Sequence, residues 1–263
     1  MKRIFLLRAY GDFIVALQSL IHSSAIVSYE LIASSHHRPL FEALPASLIP
    51  ANLHIRFVDF GIDGPMLRAF TNRHLFNGTT LSELKAVANF CKQNPSPEGG
   101  DFIENTHRKW LLELGTGTRF NAIAGWSDIY KNYHDFFKTA PPKIPFNRAT
   151  IKNILILPTA RITKRNIPAT VIKTIAATHK EHSVNIAYFK NSENGGLVYS
   201  NFSELVSLIS SADFIYGADS LPIHLSYLLQ KPHAIIYPSG GSHQFFTPFA
   251  FDNAQHFNFN HFH

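Results

Sequence analysis

The side chains best placed to do chemistry in this chain lie where apolar runs give way to polar turns. Asp219-Ser220 follows the run Ala212 to Tyr216 and Gly217, and precedes Leu221-Pro222-Ile223-His224. Ser220 and Pro222 then fall near the N-cap and first positions of a helix, whose unpaired amides and positive dipole end favour an anion. A diphosphate suits such a place; a plain helix cap is the simpler use of the same residues. Arg161, Lys164 and Arg165 follow another short apolar run, Ile154 to Leu157, through Pro158-Thr159-Ala160. Three cations thus crowd one strand exit, where the simplest reading is a solvated surface at a helix start. Asp12 follows Arg8-Ala9-Tyr10-Gly11 at the end of the run Arg3 to Arg8. Asp12 therefore sits on a strand-to-helix turn, where a carboxylate can cap the helix expected from Phe13.

These positions require strands that deliver them to one edge of a sheet. Candidate strands are Arg3 to Leu7, Ile26 to Ala33, Leu53 to Phe60, Ile154 to Leu157, Val184 to Phe189, Phe214 to Tyr216 and Ala234 to Tyr237, with helix-like segments between them. Such alternation predicts an α/β fold with parallel sheets. Ala140-Pro-Pro-Lys-Ile-Pro145 forbids regular helix and reads as a linker. The expected organisation is a Rossmann-like domain over 1–140, a linker over 141–150 and a second Rossmann-like domain over 151–263. The aromatic tail from Phe245 to His263 is expected to return to the first domain.

Taken in order, the strand ending in Gly11-Asp12, the Pro158-Thr-Ala-Arg161 turn with Lys164-Arg165 and Pro168, and Asp219-Ser-x-Pro-x-His224 resemble the family 9 glycosyltransferases. Those are the bacterial lipopolysaccharide heptosyltransferases. Lys231-Pro232, Ala234 to Tyr237 and Pro238-Ser239 resemble the family's next strand and loop. The resemblance implies a GT-B fold, two Rossmann-like domains whose parallel sheets face a central cleft, the first holding acceptor and the second the sugar nucleotide. It implies inverting transfer with no metal and no cofactor. Asp12 would be the general base, and Lys164 with Arg161 would stabilise the leaving diphosphate. Thr159, Arg165, Asp219, Ser220, Leu221, His224, Ser239 and Gly240 would line the donor site, and Arg8, Tyr10 and Gly11 the acceptor site. The family usually has glycine where this chain has Leu221, and a leucine there would narrow the phosphate pocket.

The partners implied are a nucleoside diphosphate sugar, with ADP-heptose favoured, and a glycan or glycolipid acceptor such as lipopolysaccharide core. The net charge of +6 suits anionic partners. With the basic residues scattered and no recognisable nucleic-acid module, no nucleic acid is expected. Met1 to Leu20 is broken by Arg8 and Asp12 and does not read as a signal peptide. A cytoplasmic protein with peripheral contact to the inner membrane is expected. The single cysteine, Cys91, cannot form an intramolecular disulfide. His36-His37 and the pair His179 and His182 lack partners for a zinc site. Two alternatives remain open: a non-catalytic sugar-nucleotide or glycan-binding relative, and a nucleotide-sugar epimerase or hydrolase of the same fold.

Overall fold

The structure is a computed structural model that describes residues 1–70, 77–104, 108–123, 129–142, 144, 147–190, 195–238 and 255–259. Ser239 and Gly240 lie outside the described residues. The chain forms two compact units, Met1–Ala140 and Pro141–His263.

The first unit is built on five parallel strands, β1 (Lys2–Leu6), β2 (Tyr29–Ser34), β3 (His54–Val58), β4 (Asp101–Glu104) and β5 (Asn121–Ile123), in the order β3-β2-β1-β4-β5. β1 is central because Ile4, Phe5 and Leu6 bury side chains on both faces, as a parallel strand covered by helices on both sides must. It pairs with β2 on one side and β4 on the other, with Arg3 opposite Asp101 and Phe5 opposite Ile103. The strand order reverses between β1 and β4, where open α/β sheets bind ligands beyond the strands' carboxyl ends. Helix α1 (Tyr10–Ile21) is buried almost all round, from Phe13 to Leu20, and packs on α5 (Ile129–Phe137). On the other face, Val87, Phe90 and Cys91 of α3 (Gly78–Gln93) join Leu111 and Leu112 of α4 (Lys109–Thr116) over Phe5 and Ile32. Full burial of each such side chain is worth about 1.5–3 kcal/mol.

The second unit has six parallel strands, β6 (Asn153–Leu157), β7 (Ser183–Phe189), β8 (Leu197–Tyr199), β9 (Phe214–Ala218), β10 (His233–Tyr237) and β11 (Gln255–Asn258), ordered β11-β10-β9-β6-β7-β8. Ile154, Ile156, Phe214, Tyr216, Ala234 and Ile236 meet Val171, Ile172 and Ile175 of α6 (Ala169–Thr178) in one core. Here the order reverses between β6 and β9. Gly217 lets α8 (Leu221–Leu228) press onto β9, since a Cβ there would lie 2.6 Å from Ile223 Cδ1.

Parallel α/β architecture agrees with the expectation, while several boundaries differ. Ile26–Ser28 forms a 3-10 turn closed by the Ser28 amide on the Ala25 carbonyl at 2.9 Å, so the strand starts at Tyr29. Helix α1 starts at Tyr10 rather than Phe13, because Asp12 accepts the Ala9 amide and stabilises an earlier turn. Leu221, not Pro222, is the first residue of α8. From the aromatic tail, residues 255–258 pair with β10 in the second unit's own sheet. No helix among the described residues is long and apolar enough to cross a membrane.

Candidate functional site

In the first unit, the residues beyond the carboxyl ends of β1 and β4 form a cluster of charge. Asp12, 9% exposed, is the third residue of α1. Its Oδ2 accepts the Ala9 amide at 3.1 Å and lies 3.8 Å from Arg8 Nε. Arg8 is ion-paired through Nη1 to Glu104 Oε1 at the end of β4. The Glu104 Oε2 and the Tyr133 hydroxyl are buried beside this pair, and the two side chains interact with each other. These groups, with His37, line a pocket about the size of one water molecule.

Burial sets the ionisation of this cluster. It pushes the Glu104 carboxyl above its ordinary range, with help from the Asp12 charge, and Arg8 only partly offsets this. Burial and then Glu104 and Asp12 raise the Tyr133 phenol. Arg8 stays charged: burial opposes its charge, but Asp12 and Glu104 outweigh that cost. His37 is fully buried and lowered to about 3 by burial and then by His36. Its Nε2 is 2.9 Å from the Arg8 carbonyl, so Nε2 carries the hydrogen and donates. The ring stacks on Phe13 at 4.7 Å and pins the turn that carries Arg8 and Asp12.

Of the acceptor candidates, Arg8 therefore joins Asp12, but its charge is engaged with carboxylates. Tyr10 packs edge-on against His36 and His37, and Gly11 lies inside the first turn of α1. Glu104, Tyr133 and His37 escaped the sequence reading as site residues. Recognising Asp101–Glu104 as a strand would have put Glu104 at the same sheet edge as Arg8.

The second unit repeats the arrangement with opposite charge. Ser220 is the N-cap of α8 and its hydroxyl donates to the carbonyls of Thr159 and Ala218, both at 3.3 Å, tying the ends of β6 and β9 together. Lys164 and Arg165 stand on a 3-10 turn, Thr163–Arg165, braced by the Asn166 side chain on the Ala160 amide at 2.8 Å and by the Ile167 amide on the Pro158 carbonyl at 2.9 Å. Arg165 Nη1 reaches Asp219 Oδ2 at 3.4 Å. Arg161 and Lys164 are exposed and form no hydrogen bond or ion pair among the described residues. They are the cations open to an anion. Leu221 opens the helix, half-buried. His224 lies inside, 3% exposed, and is lowered to about 3 by burial and then by His233 and Arg165.

Among the described residues, potential metal ligands gather at His179, Glu181 and His182, whose ligand atoms lie within 4.8 Å of one another. Glu181 is the partner that the sequence reading did not supply. The group follows the C-terminal end of α6, at the opposite edge of the sheet from Ser220, and His179 Nε2 already bonds the Tyr216 hydroxyl at 2.8 Å.

No family model and no curated protein matches the chain. Solved structures do match it. The E. coli heptosyltransferase WaaC with ADP aligns over 98% of this chain and 93% of that one, with 11% identity and a TM-score of 0.60. A glycosyltransferase of family 9 from Veillonella parvula aligns over 98% and 84%, with 13% identity and a TM-score of 0.59. The chain has the heptosyltransferase fold. E. coli ADP-heptose lps heptosyltransferase II matches over 97% of this chain and 89% of that one, at 12% identity and a TM-score of 0.56. Within the heptosyltransferase fold, each unit carries its polar cluster where its strand order reverses, as Rossmann-like sheets do.

Proposed function

We propose that this protein is an inverting, metal-independent glycosyltransferase that moves a sugar from a nucleoside diphosphate sugar to a bacterial glycan or glycolipid acceptor. The observation that carries this reading is the charge complement on one heptosyltransferase fold. A largely buried carboxylate, Asp12, occupies the switch point of the first unit, and the uncommitted cations Arg161 and Lys164 follow β6 in the second. In this reading the first unit holds the acceptor. Asp12 accepts the proton of an acceptor hydroxyl as that oxygen attacks the anomeric carbon. The bond to the diphosphate breaks, and Lys164 and Arg161 stabilise the charge that grows on it. The α8 amides hold the phosphates, and Ser220 fixes the turn that presents them. Thr159 and Asp219 shape that pocket, and Arg165 braces Asp219. His224 supports α8 from within rather than touching the donor.

WaaC structures carry ADP and ADP-2-deoxy-2-fluoro heptose, which makes ADP-heptose the first donor to test. The basic balance of the chain suits a phosphorylated, lipid-linked acceptor at the cytoplasmic face of the inner membrane.

Calorimetric binding of ADP, GDP, UDP and CMP tests the donor site. Selective binding of one nucleoside diphosphate is expected, weakened about tenfold or more in Lys164→Ala, since a hydrogen bond from a charged group is worth about 1.5–3 kcal/mol. Failure of all four to bind would mean that Leu221 closes the pocket, and would favour a non-catalytic glycan-binding protein. Consumption of a nucleotide sugar without acceptor would indicate an epimerase or hydrolase.

A further inference from the structure

In the first unit, two carboxyl groups face one guanidinium. Arg8 gives Nη1 to Glu104, while its Nε stays 3.8 Å from Asp12, beyond hydrogen-bond reach. Asp12 Oδ2 takes the Ala9 amide instead, and no group among the described residues hydrogen-bonds Oδ1. We propose that Glu104 is a positioning residue that holds Arg8 away from Asp12 and so leaves the Asp12 carboxylate open to an acceptor hydroxyl. The proposal rests on the reading of Asp12 as general base.

The geometry gives the reason. Arg8 and Asp12 are four residues apart around the first turn of α1, and a guanidinium fork matches a carboxylate with two parallel hydrogen bonds. Without a competing carboxylate, Arg8 would close on Asp12, occupy its free oxygen and weaken it as a base. The other groups lining the pocket cannot substitute for Arg8. Tyr133, from α5, is held as the neutral phenol, and His37, after β2, as the neutral imidazole. The hold of Glu104 tightens when it ionises. Because burial and Asp12 raise its pKa, kcat should rise with pH through an ionisation above the ordinary carboxylate range.

Transfer is measured with ADP-heptose and lipopolysaccharide core oligosaccharide across pH, and a crystal structure of Glu104→Gln is determined in parallel. Glu104→Gln should lower kcat by about tenfold or more, part of the 10²–10⁴ that a positioned base contributes, with donor KM little changed and the alkaline rise lost. Its structure should show Arg8 hydrogen-bonded to Asp12. In an Arg8→Gln background, adding Glu104→Gln should change kcat no further, a comparison that holds even if Glu104→Gln alone folds poorly. Arg8 remaining away from Asp12 in Glu104→Gln, or a further loss in the Arg8→Gln background, would overturn the proposal. If the wild type transfers nothing while Arg8 swings onto Asp12 in the variant, the transferase reading fails and the positioning stands.

Discussion

At the scale of single residues, Asp12 has a structural task, and the proposed function gives it a chemical one at its other oxygen. Its Oδ2 accepts the Ala9 amide and fixes the start of α1, which is the cap-like duty of an acidic residue at the third helical position. In the proposed reaction its other oxygen takes the acceptor proton. Asn keeps an amide-accepting oxygen of the same shape but cannot take a proton from a hydroxyl. Asp12→Asn should therefore fold normally, bind the nucleotide with unchanged affinity and lose about 10²-fold or more of transfer activity. Activity close to wild type in a coupled nucleotide-release assay would remove Asp12 from the mechanism.

At the scale of elements, β1 and β4 join the first unit by an arginine–carboxylate pair at each end, with different roles. At the amino end, Arg3 makes a bidentate pair with Asp101, at 2.7 and 2.9 Å, and also donates to the Asn94 carbonyl at 2.9 Å. Both side chains are almost fully buried and every visible bond is structural. At the carboxyl end, Arg8 and Glu104 are partly exposed and line a small pocket with Asp12 and Tyr133. Removing one member of a fully buried pair strands the other, so Asp101→Asn should cost about 3–5 kcal/mol. Equilibrium urea unfolding would register this as a lower midpoint; a change under about 1 kcal/mol would show that the pair is solvated. In the second unit the N-terminal turn of α8 carries Leu221 where the resembling family usually has glycine, and Ser220 ties two strand ends together.

At the scale of the whole molecule, its buried histidines set the response to acid. His134 is lowered to about 4, and His37 and His224 to about 3, from an ordinary value of 6.5, with burial the largest cause for each. Below pH 6.5 the unfolded chain binds protons that the folded chain refuses, so this stability is full above 6.5 and is lost as pH falls toward 4 and 3. Glu104 acts in the opposite sense: its folded pKa lies above 4.5, so its contribution declines as pH rises from 4.5 through that raised value. Three histidines outweigh one carboxyl. Thermal unfolding should show a midpoint that drops steadily from pH 6.5 to 4. A flat profile over that range would mean that these rings are protonated in the folded protein.

The parallel α/β class was legible because its core strands, such as Arg3 to Leu7 and Phe214 to Tyr216, are apolar runs that only a doubly covered sheet can bury. The short strands β4, β5, β8 and β11 were not legible. Asp101–Glu104 carries charge at both ends, and Asn121–Ile123 is too brief for any periodicity to register. Asp12, Lys164 and Ser220 could be placed beyond strand ends because each lies within a few residues of one. Arg165 shows the limit of that reading, since its turn toward Asp219 is a contact across 54 positions. By itself the sequence determined the fold class, the α/β alternation and the residues that follow the central strands, because burial patterns and turn chemistry act locally along the chain. Only the tertiary structure decided that Glu104 meets Arg8, that Tyr133 and His37 enclose Asp12, and that His224 is buried, because these follow from strand order and register between distant segments.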